Sequence, residues 1–102
     1  METHEEKIIE ILRNVIDPEL MVNVVDLGLV YGVTYDESNQ WIDVDLTLTS
    51  PGCPMGGMIM EDAQMSIETK YPDFRVKINL VWEPEWSPEK LTEEGKAALG
   101  YN

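Results

Sequence analysis

A chain of 102 residues, 43% hydrophobic and 26% charged, has the composition of one folded domain, read here as spanning 1–102, and not of a disordered polymer. Twenty acidic against seven basic residues give a formal net charge of -13, which argues against nucleic acid and anionic lipid as partners, because both are held by clustered Lys and Arg. A single cysteine cannot close an intramolecular disulfide, METHEEKIIE lacks the basic-then-apolar character of a secretion signal, and no apolar run nears the roughly 20 residues that span a bilayer. The expectation is a cytoplasmic protein.

Thr3-His4-Glu5-Glu6 has the form of a helix capping box, and Ile8, Ile11, Leu12, Val15 and Ile16 then recur at helical spacing. Pro18 stops that helix at Asp17. Residues 17–28, DPELMVNVVDLG, read as an irregular segment too apolar for a solvated loop, so it must pack against something. LVYGVTY places Leu29, Tyr31, Val33 and Tyr35 on one face of a strand, and Asp36 to Gln40 is a polar hairpin loop. In WIDVDLTLT, Ile42, Val44, Leu46 and Leu48 alternate with Asp43, Asp45, Thr47 and Thr49, the pattern of a sheet with one buried face.

After Thr49-Ser50-Pro51-Gly52-Cys53-Pro54, the residues Met55, Met58, Ile59, Ala63 and Ile67 mark a second helical stripe that ends at Tyr71-Pro72, with its methionines read as core. FRVKINLVW is a third strand that would bury Phe74, Val76, Ile78, Leu80 and Trp82. A stiff Glu83-Pro84-Glu85-Trp86 segment follows, then Ser87-Pro88 as a helix start and a short helical tail to Gly100.

The order helix, strand, strand, helix, strand, short helix predicts a two-layer α/β (α+β) fold, with helices against one face of a small mixed sheet. Pairing the first two strands as a hairpin sets residues 17–28 beside Thr49 and Cys53. A parallel return of the third strand brings Trp82 and Trp86 to the same edge. Edges of this kind commonly form sites.

Cys53 is either a small apolar filler or a thiol favoured as thiolate by the free N–H groups of a helix start; its position at the converging edge favours the second reading. The only histidine, His4, starts the first helix, so no Cys–His pair is available for hydrolysis. Cys53, Asp17 and Glu19 supply three ligands at most, too few for a closed zinc site. An iron–sulfur cluster normally takes four cysteines, so one chain would need a second copy or a partner to hold one. From spacing alone, Asp17 and Glu19 read as a helix-ending turn with solvated carboxylates.

Four motifs in order, Val15-Ile16-Asp17-Pro18-Glu19-Leu20, Val25-Asp26-Leu27-Gly28-Leu29-Val30-Tyr31, Leu46-Thr47-Leu48-Thr49-Ser50-Pro51-Gly52-Cys53-Pro54 and Val81-Trp82-Glu83-Pro84-Glu85-Trp86, resemble the small SufT and PaaD-like iron–sulfur assembly factors over nearly the whole chain. The resemblance implies a non-enzymatic carrier or adaptor that delivers clusters to client proteins, with iron–sulfur apoproteins and other assembly proteins as partners, and a homodimer as one way to share ligands. It implies that the functional thiol is Cys53, as ligand to a transient cluster or iron or as sulfur acceptor. Asp17 and Glu19 would steer iron or hold the loop. Thr49 and Ser50 would bond the thiolate or cap the second helix. Within the family the alternative is an accessory subunit of a multicomponent ring oxygenase; outside it, a thiol-dependent enzyme or a plain interaction module.

Overall fold

In the computed structural model, which describes residues 3–49 and 56–100, the elements follow the expected order with one addition. Helix α1 (His4–Leu12) is followed by two short strands, β1 (Ile16–Asp17) and β2 (Val22–Asn23). Strands β3 (Val30–Asp36) and β4 (Trp41–Leu46), helix α2 (Gly56–Lys70) and strand β5 (Arg75–Leu80) come next. A single 3-10 turn (Pro88–Lys90) and helix α3 (Glu93–Leu99) close the chain. The main sheet has the order β3-β4-β5, with β3 antiparallel and β5 parallel to β4.

Each element has a local cause. Thr3 caps α1, its hydroxyl accepting from the Glu6 N–H at 3.1 Å and donating to the Glu6 carboxylate. The helix stops at Leu12, before the expected end at Asp17, because Val15 leaves it to accept the Val24 N–H and begin the β1–β2 hairpin. Ile16, expected on the helix's apolar face, is therefore exposed on β1. Strand β4 buries Ile42, Val44 and Leu46 as its alternation requires. These meet Ile8 and Leu12 of α1, Ile59, Ala63 and Ile67 of α2, and Val76 of β5 in one core. At about 2 kcal/mol for each buried aliphatic side chain, this layer contact is the main stabilising contribution.

Several expected placements are corrected. Met58 is 59% exposed and not core; the buried stripe of α2 runs through Gly56, Ile59, Ala63 and Ile67, with Met60 packed at its margin. Met55 lies outside the described residues. Leu80 and Trp82 are 39% and 40% exposed, because β4 ends at Leu46, opposite Leu80, and leaves them at the sheet's end. Tyr31 does not share a face with Val33. A bulge between Val30 and Gly32, opposite Leu46 and Asp45, leaves Tyr31 as the extra residue. The tail helix starts at Thr92, whose hydroxyl accepts from the Gly95 N–H; Ser87-Pro88 begins only the 3-10 turn. Gly100 ends α3 at φ 81°, as expected of its C-terminal glycine. No helix among the described residues is long and apolar enough to cross a membrane.

Candidate functional site

The end of β4 is a junction. The Thr47 N–H donates to the Leu29 carbonyl, the Leu29 N–H to Val24, and the Val24 N–H to Val15. On the other side the Val81 N–H donates to the Leu46 carbonyl. This ladder ties the β1–β2 hairpin, the start of β3 and the end of β5 to one sheet edge, so residues 17–28 do pack where the topology required. Beyond the edge the chain passes Leu48 and Thr49 and re-enters the described structure at Gly56, the first residue of α2. A methyl group added at Gly56 would lie 2.5 Å from a terminal carbon of Leu48, so the first residue of α2 packs directly on the Leu48 side chain.

Cys53 and Ser50 fall between Thr49 and Gly56 in the sequence and lie outside the described residues. Thr49 is half-buried. Asp17 is not solvated as its spacing suggested: it is 2% exposed, and its carboxylate accepts the Glu19 N–H at 2.8 Å while its carbonyl accepts the Met21 N–H at 2.7 Å. It organises the hairpin turn as an Asx turn. Glu19 stands exposed on that turn, and Met21, held at φ 57°, is 74% exposed.

Two features escaped the sequence reading. Thr47 is buried, yet its hydroxyl has no hydrogen-bond partner among the described residues, a cost of about 1–3 kcal/mol by ordinary accounting. Asp26 is the second. Burial raises its pKa, but bonds from Asn23 at 2.7 Å and from Thr92 and Arg13 at 2.9 Å each, with the Arg13 charge, outweigh that and hold it below the ordinary carboxylate value. It joins α1, the hairpin and the cap of α3. Its motif was legible as Val25-Asp26-Leu27-Gly28, but its distant partners were not. Trp86 packs at the same junction, its indole N–H donating to the Leu27 carbonyl at 2.6 Å. Among the described residues no three His, Cys, Asp or Glu side chains converge on a metal-sized site.

A small mixed sheet backed by α1 and α2, with the β1–β2 hairpin tied through the start of β3 to the end of its central strand, defines the class of protein. Residues 5–80 match the family model described as iron–sulfur cluster assembly protein, and the chain belongs to this family as a SufT-like member. A Porphyromonas gingivalis Fe-S protein maturation auxiliary factor is 43% identical over 97 residues, 95% of this chain and 91% of that one. The Staphylococcus aureus maturation auxiliary factor SufT is 41% identical over 84% of this chain and 97% of its own length. The crystal structure of a Bacillus anthracis domain of unknown function superposes with a TM-score of 0.88 at 44% identity, covering 96% of this chain and 92% of that one.

Proposed function

We propose that this protein is an iron–sulfur maturation factor in which Cys53 binds a cluster, or iron, in transit to client apoproteins. The observation that carries the reading is the convergence of three segments on the sheet edge that leads into the Cys53 turn, in a chain whose relatives are named as Fe-S protein maturation auxiliary factors. The cluster is cargo and not a resident group. One chain supplies one thiolate where a stably held cluster takes about four, so the remaining ligands come from a second copy, a client or small thiols. Weak holding suits a factor that must release what it carries.

The other residues have supporting parts in this reading. Asp17 fixes the hairpin through its Asx turn, and Glu19, exposed on that turn, steers iron or holds the loop. Thr49 and Ser50 bond the thiolate or cap α2. The chain's single histidine, His4, is stacked on Tyr35, and in this reading the thiol acts as ligand or sulfur acceptor.

Anaerobic reconstitution with iron and sulfide, followed by sizing with visible absorbance, tests this. The wild type should acquire a labile chromophore on a dimer or mixed complex, and Cys53→Ser should acquire none. A chromophore equally strong in Cys53→Ser would overturn the assignment.

A further inference from the structure

After β5 the chain does not leave the sheet. It crosses back over its end, and contacts with the start of β3 hold it there. The Tyr31 hydroxyl donates to the Pro84 carbonyl at 2.7 Å. The Trp86 indole donates to the Leu27 carbonyl at 2.6 Å. Gly28, at φ 75°, lies so close to the Lys90 backbone that a Cβ there would sit 2.1 Å from the Lys90 carbonyl oxygen. Between this strap and the sheet lies a cleft of about 630 Å³, lined by Val30, Tyr31, Asp45, Val81, Glu83 and Lys90 together with Gly28 and Pro84. The volume falls in the range of small-ligand and side-chain sites.

The cleft's chemistry is specific. Val30, Val81 and Pro84 give apolar walls, and the Tyr31 ring gives an aromatic one. Two carboxylates and one ammonium supply the charge. One Asp45 oxygen accepts the Asn79 amide at 3.1 Å, while among the described residues the Glu83 carboxylate makes no ion pair. The Lys90 ammonium stands 5.2 Å from the centre of the Tyr31 ring and is paired with neither carboxylate. A cleft with an excess of negative charge and an apolar wall for an aliphatic stem has the complement of an arginine side chain. Its position at the end of β4 and β5 is the edge from which the Cys53 turn departs.

We propose that this cleft is a docking site for a basic side chain, arginine above all, presented on an extended segment of a client polypeptide. The guanidinium would be received by Glu83 and Asp45 and the stem by Val30 and Val81. Lys90, a like charge held over the Tyr31 ring, would oppose the incoming cation. The proposal rests on the maturation role above for the nature of the partner, but the cleft itself uses none of the proposed cluster residues.

The test is a titration of isotope-labelled protein with the capped tripeptide acetyl-Gly-Arg-Gly-amide, read by backbone amide shifts, with acetyl-Gly-Glu-Gly-amide as control and acetylargininamide as the free side-chain arm. Shifts should centre on Val30, Tyr31, Asp45, Val81 and Glu83, and added salt should weaken them. Glu83→Gln and Asp45→Asn should each reduce affinity about threefold, and together about tenfold. Lys90→Met should strengthen binding about threefold by removing the repulsion. The same spectra show that each variant is folded. Equal shifts from the glutamate peptide, no shifts from the arginine peptide, or indifference to both carboxylate variants would overturn the proposal. Tighter binding of acetylargininamide than of the tripeptide would overturn the polypeptide partner. Cluster loading, measured separately by absorbance, should be the same in Glu83→Gln as in the wild type, so failure of the cleft and failure of the cluster role are read apart.

Discussion

Replacing Asp26 by alanine should destabilise the protein by about 3–4 kcal/mol. The carboxylate accepts three side-chain bonds, from Asn23 at 2.7 Å and from Thr92 and Arg13 at 2.9 Å each. Asn23 and Thr92 are half-buried, and each loses a bond to a charged acceptor of about 1.5 kcal/mol. Arg13 is 41% exposed and returns to water, so its share is under about 1 kcal/mol. The backbone bond from the Thr92 N–H to the Asp26 carbonyl, 3.0 Å, survives the change and keeps α3 from detaching outright. Urea unfolding of wild type and variant at neutral pH measures the difference. The pH dependence gives a second reading. The native pKa of Asp26 lies below its ordinary value, so the stability it contributes is present above about pH 4 and is lost as pH falls through the lowered native value. The gap between wild type and Asp26→Asn should therefore narrow in acid below about pH 4. A difference under about 1 kcal/mol at neutral pH, or a gap that widens in acid, would refute the argument.

Gly28→Ala should cost more than about 2 kcal/mol by calorimetric melting, since a Cβ would collide with the Lys90 carbonyl at a backbone angle of φ 75°; a shift within error would mean that the strap yields freely. Met58→Glu and Met65→Glu should each change stability by no more than about 0.5 kcal/mol, since both side chains are exposed, and a large loss in either would contradict that exposure.

Most of the fold was legible where one periodicity ran uninterrupted. The alternation of Ile42, Val44 and Leu46 against Asp43 and Asp45 fixed both face and partner of β4, and the parallel pairing of β5 followed from topology. The misreadings share physical causes. Met58 and Met60 flank Ile59 in GGMIMEDAQM, so periodicity alone could not choose between them, and packing took Met60. Tyr31 was misassigned because a bulge shifts the alternation by one residue, and no pattern within LVYGVTY announces it. Leu80 and Trp82 continue β5's alternation past the point where β4 ends, so the sequence looks buried where no neighbour remains. The β1–β2 hairpin has two residues per strand, too short for any period, yet it makes Asp17 a buried turn residue. The convergence of residues 17–28 with the end of β4 was legible from the chain order, while Cys53 itself lies outside the described residues; Asp26 and Thr47 needed the packed structure, since their surroundings come from residues far away in the chain.

The central claim is delivery of iron–sulfur cargo through Cys53, and transfer to an apoprotein measures it directly. Protein reconstituted anaerobically should be mixed with a purified apo-enzyme whose activity requires a [4Fe–4S] cluster, with a chelator present to capture free iron. Activity should return with the reconstituted wild type at a rate that exceeds the rate with iron and sulfide alone. Cys53→Ser should give no more than that background. Equal reactivation by wild type and Cys53→Ser, or reactivation that the chelator abolishes, would contradict the account.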